Sequence, residues 1–289
     1  YMPELPEVEV VKRSLKRNII KTTIKKVKIN NINLRYALKK RDFTRLENIK
    51  IKSIERRSKY ILINFQNGFS LIIHLGMTGK FFLKDRFMRF HRTSFYYPDR
   101  DSNNKHDHII FELDNKSKLI YNDVRRFGFI KVIKTKKINE NQHLKFLGPE
   151  PLSSEFNIKY FKQKVKNTIR NIKDILMDQK FVAGLGNIYV NEILFQSKVR
   201  PKRKAKSLNI KSIERIIKNT QEILNQSIKF GGSSIRDFSD GEGKKGAYQQ
   251  KFMVYGRSKE QCLNRDCRST IQKEIISQRS TFYCKSCQK

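Results

Sequence analysis

The chain has 289 residues and a formal net charge of +36, from 63 Lys and Arg against 27 Asp and Glu. Its length allows one large or two ordinary domains. Because no apolar run approaches 18 residues, no transmembrane helix is expected. The positive excess predicts a polyanionic partner, nucleic acid first and an anionic membrane surface second. Lys, Asn and Ile recur throughout, so codon usage in an AT-rich genome is a competing explanation for part of the charge.

The first element predicted along the chain is an amphipathic helix over 7–20, because apolar residues recur on one face and Lys and Arg occupy the other. Short β-like runs follow, with hairpin turns predicted at 66–68 and 114–118. These runs are 24–29, 60–65, 69–75, 108–113, 118–123 and 127–133. The charged, irregular stretch 84–107 is predicted to be a loop. One helix followed by several short strands predicts an antiparallel sandwich or barrel.

The pattern changes near residue 135, where the polar stretch KTKKINENQ precedes GPEPLSSEFN, which has two prolines and a helix-start signal. This change predicts a domain boundary, and helical patterns dominate after it. They cover 156–166, 169–180, 187–197 and 208–229. The stretch 231–250 is rich in Gly and Ser and poor in apolar residues, which predicts a mobile loop.

The four cysteines form two close pairs, Cys262-x4-Cys267 and Cys284-x2-Cys287, and the residues between the pairs read as two β-strands. Two such pairs around a hairpin can surround one tetrahedral zinc ion. A site saturated with protein ligands has no open position for a catalytic water, so we expect one structural Zn²⁺. Nearby arginines, Arg279 among them, suggest contact with phosphate, although ordinary surface charge explains any single one equally well.

A proline lies close to the beginning of the chain, in MPELPEVE. If Met2 is the initiator and is removed, Pro3 presents a secondary amine, and an α-amino group has a pKa of about 7.7–8.0 against about 10.4 for lysine. Such an amine can attack a sugar aldehyde carbon, with Glu4 as a proton shuttle. The competing interpretation is the start of a helix, which we prefer for Pro6 and Glu9. For Pro3 and Glu4, position alone leaves both interpretations open.

Several longer motifs occur in the order found in one enzyme family. They are MPELPEVE, RRSKY, HLGMTG, KHDH, NDVRRFG, LGPEPL, LMDQKFVAGLGNIYVNE, GGSS, VYGR and QRSTFYCKSCQK. On these motifs the sequence resembles the bacterial formamidopyrimidine-DNA glycosylases, which remove 8-oxoguanine and ring-opened purines from DNA. The resemblance runs from Met2 to Lys289. It implies an α+β fold with an N-terminal helix and antiparallel β-sandwich, a helical helix-two-turn-helix domain and a C-terminal zinc-bound β-hairpin.

The same resemblance implies a division of the chain into five segments. They are 2–135 for the N-terminal catalytic β-sandwich domain, 136–156 for a linker, 157–230 for the helix-two-turn-helix DNA-binding domain, 231–257 for a lesion-capping loop and its connection, and 258–289 for the zinc-finger hairpin.

Catalytic roles follow from the resemblance position by position. Pro3 matches the nucleophile that forms a Schiff base with C1′ of the damaged nucleotide, and Glu4 matches its acid/base partner. Glu7 matches a supporting carboxylate. Lys59 matches the lysine assigned to β-elimination and phosphate contact, although by itself it would be interpreted as exposed charge. Arg279 matches the zinc-finger arginine tied to phosphate binding and δ-elimination.

DNA-binding roles follow in the same way. The side chains that fill the gap left by the flipped base correspond to Met77, Arg125 and Phe127. Backbone contacts correspond to His74, His106 and Asn187, and Lys173 aligns with a lysine that handles the damaged purine. Ile169 lies where the family often has a lysine, and either Arg170 or Lys166 is expected to substitute for that lysine. Without the resemblance, Met77 and Phe127 would be core residues and Asn187 a turn residue.

The implied activity is that of a bifunctional DNA glycosylase and AP lyase for oxidised purines, which acts on damaged double-stranded DNA as a cytoplasmic, nucleoid-associated bacterial monomer without a membrane role. One alternative is an endonuclease VIII-like glycosylase for oxidised pyrimidines. Another is a non-enzymatic zinc-containing DNA-binding protein. Departures from the family pattern are the x4 spacing of the first cysteine pair, Ile169, and Tyr1. The Pro3 nitrogen is a free amine only when Met2 has been removed, and a residue ahead of Met2 keeps that nitrogen in an amide bond. We therefore expect the active protein to begin at Pro3.

Overall fold

The structure is a computed structural model and describes residues 2–87, 89–94, 104–233 and 248–289. The chain divides into two compact units, which we call the first unit (Tyr1–Lys145 with Gly231–Ala247) and the second unit (Phe146–Phe230 with Tyr248–Lys289). Tyr1 and most of the predicted mobile, lesion-capping loop (234–247) lie outside the described residues. The five-segment division stays a prediction. Within the described part, no helix is both long and apolar enough to cross a membrane.

The first unit combines two helices with an antiparallel sheet. Its elements are α1 (Leu5–Ile19), β1 (Thr23–Ile29), α2 (Lys40–Thr44), β2 (Ile49–Arg57), β3 (Tyr60–Phe65), β4 (Phe69–His74), β5 (Gly79–Lys84), β6 (Phe90–Arg92), β7 (Asp107–Leu113), β8 (Lys118–Asp123) and β9 (Phe129–Lys134). The strand order is β6-β5-β8-β7-β1-β2-β3-β4-β9, and all neighbours are antiparallel. The register joins β1 and β2 through only two residue pairs, Thr23 with Lys50 and Ile24 with Ile49.

Apolar side chains from both halves of this sheet and from α1 form one core. The helix buries Val8, Val11, Leu15 and Ile19, as its sequence period predicts. Pro6 lies in its first turn and basic residues lie in its last turn, in agreement with the preferences of helix ends. The predicted antiparallel architecture is therefore confirmed.

Three strands of the first unit, β2, β5 and β6, were not predicted from the sequence. In β2, the alternation of Ile49 and Ile51 with Lys50 and Lys52 covers only four residues, and it is interrupted at Ser53, where the register with β3 shifts. Strand β5 begins in the motif HLGMTG, where glycines suggest a turn. The prediction of a loop over 84–107 was partly wrong, because β6 and a 3-10 turn at Asn104–His106 lie within it.

The second unit contains four helices and a separate hairpin. They are α3 (Ile158–Val165), α4 (Ile172–Met177), α5 (Asn187–Gln196), α6 (Ile210–Lys229), β10 (Ile271–Ile276) and β11 (Arg279–Cys284). Three of the helices begin at asparagine caps whose side chains accept a backbone N–H: Asn157, Asn171 and Asn209. The cap at Asn171 makes α4 shorter than the predicted 169–180. The other three helices confirm the predicted positions.

The β10–β11 hairpin packs its buried face, with Cys262, Ile271, Phe282 and Cys284, against Phe195 of α5. An isolated two-stranded hairpin is marginally stable in water. The position of this hairpin therefore depends on what it contacts in the second unit.

Candidate functional site

The residues that follow Met2 are buried in the first unit. Pro3 is buried, and the side chains of Glu4 and Glu7 are 4% and 0% exposed. The Glu4 N–H donates to Glu7 Oε2 at 3.0 Å. The other oxygen, Oε1, accepts from the backbone N–H and the hydroxyl of Ser233, at 2.7 and 2.9 Å. One buried carboxylate thus holds both the residue after Pro3 and the described end of the segment that leads toward the predicted capping loop.

Lys59 and His74 lie on neighbouring strand ends. Lys59 follows Ser58, which has φ of 55°, in the tight turn between β2 and β3. Burial first, and then the nearby charge of Lys59, lower the pKa of His74 to about 4. The Gly76 N–H donates to His74 Nδ1 at 3.0 Å, so the proton of the neutral ring is on Nε2. The neutral imidazole therefore has one N–H available as a donor.

The loop 124–128, which we call the arginine loop, joins β8 to β9 and presents Arg125 and Phe127. Both side chains are exposed, Phe127 by 47%, and the Arg125 Cζ lies 4.6 Å from the centre of the Phe127 ring. Met77 is half-buried in the neighbouring turn. An exposed phenylalanine with a guanidinium stacked on it suits insertion into another molecule better than it suits a core.

A buried aspartate holds the arginine loop in place. Asp123 is 0% exposed, and its Oδ2 accepts from the Gly128 N–H at 2.8 Å. Its Oδ1 accepts from the Thr78 hydroxyl, whose oxygen accepts from the Arg125 N–H at 3.0 Å. The turn that carries Met77 and the loop that carries Arg125 therefore share one carboxylate.

Gly76 lets these two segments approach each other. Its φ is 63°, and a Cβ at this position would lie 2.4 Å from the Gly128 nitrogen. No side chain fits there without moving the arginine loop.

His106 lies in the 3-10 turn before β7 and is half-buried. Its Nδ1 is buried and has no hydrogen-bond partner within the described part of the chain. The structure does not join it to the other predicted backbone contacts by any bond, so its role stays a prediction.

In the second unit, three of the predicted DNA-binding residues line one cleft of about 420 Å³ between α4 and the hairpin: Arg170, Lys173 and Arg279. The Arg279 side chain is exposed at the hairpin turn. Arg170 Nη1 donates to Asp178 Oδ2 at 2.8 Å. Lys173 is only 1% exposed, and its Nζ donates to Thr281 Oγ1 at 2.6 Å.

Asn187 begins α5, and its side-chain amide donates to the Ser280 carbonyl at 2.9 Å. The side-chain amide of Asn187 and the ammonium of Lys173 thus contact the hairpin directly. The DNA contacts predicted for these two residues stay predictions.

The four cysteines of the second unit lie together, with all Sγ atoms within 4.8 Å of one another. The separations of Cys262 from Cys287 and of Cys267 from Cys284 are 3.8 and 3.6 Å. Tetrahedral ligation at a Zn–S distance of about 2.3 Å places sulfurs about 3.8 Å apart, whereas a disulfide needs about 2.05 Å. The cluster therefore fits a single metal ion, and all four predicted ligands contribute to it.

The sequence analysis missed residues that hold the predicted ones: Thr78, Asp123, Ser233 and Thr281. All four belong to the quoted motifs, but their short polar side chains offered no chemistry of their own. Only their burial, with exposures of 0% for Asp123, Ser233 and Thr281, identifies them as anchors.

Comparisons with known proteins agree with this arrangement. A family model described as the formamidopyrimidine-DNA glycosylase N-terminal domain matches residues 2–130, and one described as the H2TH domain of that glycosylase matches 147–239. The chain is 42% identical over 287 residues to the formamidopyrimidine-DNA glycosylase of Rickettsia felis, which covers 99% of this chain and 98% of the relative.

Two solved structures of Lactococcus lactis Fpg, one in complex with Fapy-dG-containing DNA and one with DNA containing an oxidised pyrimidine, are also similar. Each has 34% identity and a TM-score of 0.84 with this chain, over 99% of this chain and 100% of the other. Family models that span most of the chain and a relative of this identity over nearly the full length leave one conclusion: the chain belongs to the formamidopyrimidine-DNA glycosylase family.

Proposed function

We propose that this protein is a bifunctional DNA glycosylase and AP lyase that excises oxidised purines from duplex DNA through a Schiff base at Pro3. The observation that carries the proposal is the buried Pro3 followed by the carboxylates of Glu4 and Glu7, with Glu7 bonded to the Glu4 N–H. A secondary amine beside carboxylates has both a nucleophile and a route for protons.

In the proposed reaction, the Pro3 nitrogen attacks C1′, and the base leaves with the electrons of the C1′–N bond. The base takes up the proton that the attacking amine loses, which restores the lone pair on the Pro3 nitrogen. The C1′–O4′ bond then opens, O4′ takes a proton from Glu4, and the nitrogen lone pair forms the iminium. The iminium acidifies the C2′ proton, whose removal breaks the C3′–O bond by β-elimination. Removal of the C4′ proton then breaks the C5′–O bond by δ-elimination, and hydrolysis frees Pro3. We assign phosphate contact to Lys59 and Arg279 during the eliminations.

The remaining predicted residues bind the DNA in this proposal. Met77, Arg125 and Phe127 fill the gap that the flipped nucleotide leaves, because exposed planar and apolar side chains can stack on the bases around it. The neutral His74 donates from Nε2 to a backbone phosphate, and His106, Arg170 and Asn187 add contacts of the same kind.

We further propose that Cys262, Cys267, Cys284 and Cys287 hold one structural Zn²⁺. Four thiolates favour zinc among common cellular metals and leave no position for a reacting water. The ion stabilises the hairpin fold and takes no part in the reaction.

The protein is also proposed to act as a monomer at the bacterial nucleoid, a location that its charge of +36 supports. Light scattering of the free protein and of its complex with one lesion duplex tests the stoichiometry.

Borohydride trapping tests the chemistry. The form that begins at Pro3 is expected to become covalently joined to a duplex containing 8-oxoguanine opposite cytosine, whereas a form that retains Tyr1-Met2 is expected to bind the duplex without trapping. Intact mass of each preparation defines its first residue. No adduct with the Pro3 form would contradict the enzyme reading and favour a DNA-binding zinc protein.

A parallel assay on thymine glycol duplexes separates purine from pyrimidine specificity. We expect faster release of 8-oxoguanine. Release of thymine glycol alone would assign the chain to oxidised pyrimidines.

A further inference from the structure

The turn that carries Arg279, residues 277–279, is called here the hairpin tip, and its own sequence does not favour its conformation. Ser277 and Gln278, the two residues between β10 and β11, have φ of 47° and 60°. A two-residue turn with positive φ at both positions normally uses Asn-Gly or Asp-Gly, because other side chains meet the backbone there. Each such residue adds backbone strain that other contacts must offset. Contacts outside the tip must therefore determine where Arg279 lies.

Those contacts come from two helices that bond to the three residues after Arg279. Lys173 of α4 donates from Nζ to Thr281 Oγ1 at 2.6 Å, and the Ser280 carbonyl lies 3.5 Å from the same nitrogen. Asn187 of α5 donates to the Ser280 carbonyl at 2.9 Å. One turn later on α5, Asn191 Oδ1 accepts from the Phe282 N–H at 2.7 Å. Strand β11 is thus bonded to the helices at each of its first three positions after Arg279.

Lys173 is the unusual member of this set. Its side chain is 1% exposed, and burial lowers its pKa to about 8. Burial of an ammonium group is costly, and an apolar side chain of similar size would serve packing alone at least as well. Its charge is directed at a hydroxyl and a carbonyl of β11, next to the guanidinium of Arg279. With 1% of its surface exposed and its ammonium bonded to β11, Lys173 has little surface with which to approach a purine.

We propose that Lys173 is a positioning residue, which sets the location of Arg279 against a DNA phosphate by holding Thr281 and Ser280. This inference rests on the proposed function of Arg279 and replaces, for Lys173, direct contact with the damaged purine. Asn187 and Asn191 support the same strand, so the helix-two-turn-helix segment and the hairpin tip present a single phosphate-binding surface within the second unit.

A duplex with an abasic site separates the two roles, because it has no base to contact. Lys173→Met is expected to weaken binding to a reduced abasic duplex and to an 8-oxoguanine duplex by the same factor, roughly tenfold. The fraction of strand cut by δ-elimination is expected to fall relative to β-elimination, whereas the yield of borohydride-trapped adduct at saturating protein stays within about twofold of the unmodified protein.

A double-mutant cycle with Arg279→Ala makes the dependence explicit. If Lys173 acts through Arg279, Lys173→Met has little further effect on the dissociation constant once Arg279 is absent. Thr281→Val is expected to reproduce the defect, and Thr281→Ser, which retains the hydroxyl, is expected to restore it. Lys202→Met is the matched control, because Lys202 pairs with Glu274 of the same hairpin at 2.6 Å from an exposed position and is expected to leave the β-to-δ ratio unchanged.

Three results would overturn the inference: a defect confined to the 8-oxoguanine duplex, full additivity with Arg279→Ala, or no change in binding by a Lys173→Met protein that retains its metal and its melting temperature. If Lys173→Met does not fold, Thr281→Val carries the same cycle. Binding to the reduced abasic duplex requires no catalysis. The double-mutant cycle can therefore still be interpreted if the Pro3 form shows no trapped adduct and the proposed function fails.

Discussion

The arginine loop of the first unit and the hairpin tip of the second unit both hold an arginine in place at the surface, but they do so through different contacts. Each presents an exposed arginine, Arg125 or Arg279, and each contains non-glycine residues with positive φ, Arg126 at 57° in the loop and Ser277 at 47° in the tip. The loop is held by Asp123, which accepts from the Gly128 N–H five residues later, and by Thr78, which accepts from the Arg125 N–H and lies 47 residues before it. The tip is held by Lys173 and Asn187, which precede their partners by 108 and 93 residues.

The difference shows whether the residue that holds a segment can be recognised from the sequence near that segment. A buried carboxylate that directly precedes its loop belongs to the same sequence motif as the loop. A buried ammonium from another helix acts only after the second unit has folded. We therefore expect the arginine loop to survive disturbances of the second unit that displace the hairpin tip.

Loss of the metal is expected to have the largest effect on this comparison. Cys284→Ser removes one of the four thiolates and should abolish stoichiometric zinc binding. The hairpin should then unfold, because metal binding supplies much of the folding free energy of a small hairpin, of order 10 kcal/mol. Amide hydrogen exchange should then show loss of protection over β10 and β11 and unchanged protection near Asp123. Ser286→Ala, beside the same cluster, is the control and should retain one zinc. Equal loss of protection at both sites would contradict independent anchoring.

Removal of the Asp123 carboxylate is expected to have the next largest effect. Asp123→Ala leaves the Gly128 N–H and the Thr78 hydroxyl without their acceptor, which should lower the free energy of unfolding by about 3 kcal/mol. Urea denaturation measures it. Asp114→Ala, at an exposed turn position, should change stability by less than about 0.5 kcal/mol. A stable Asp123→Ala protein with full lesion binding would mean that the arginine loop keeps its position without the Asp123 carboxylate.

A pair of glycine substitutions tests close approach at the same loop. Gly76→Ala should cost about 3 kcal/mol, because its Cβ would lie 2.4 Å from the Gly128 nitrogen and its φ is positive. Gly68→Ala has the same backbone problem with φ of 79° but meets nothing within 4 Å, so it should cost only about 1 kcal/mol. Comparable urea midpoints for the two variants would show that the clash with the arginine loop does not add to the destabilisation caused by the positive φ.

The smallest expected effect is a gain at the hairpin tip. Gln278→Gly removes a side chain from a position with φ of 60° and should stabilise the hairpin by up to about 1 kcal/mol. Gln272→Gly, in the middle of β10, should instead destabilise it by about 0.5–1 kcal/mol. Hydrogen exchange over β10 and β11 measures both. A loss of protection with Gln278→Gly would show that the side chain of Gln278 contributes more than its backbone strain costs.

Sequence patterns predicted α1, α5, α6 and most strands because periodicity and turn signals are local properties of the chain. They missed β2, where the alternation of lysine and isoleucine is interrupted at Ser53, and they extended α4 past Asn171, whose cap ends the helical run at that side. The cysteine cluster was predictable from spacing alone. The actual partners of Lys173 were not, because no local pattern distinguishes a buried lysine from an exposed one.

By itself, the sequence determined the family, most of the helices and strands, the pairing of the four cysteines into one candidate metal site and the chemical types at the site, because each of these depends on residue identity and short-range spacing. Tertiary structure alone decided that Glu7 joins Ser233 to the start of the chain, that Asp123 is shared by the Met77 turn and the arginine loop, and that Lys173 points at Thr281. Burial is the physical reason. A polar side chain removed from water must find a partner among whatever the folded chain brings close, and that set includes residues more than 200 positions away, as for Glu7 and Ser233.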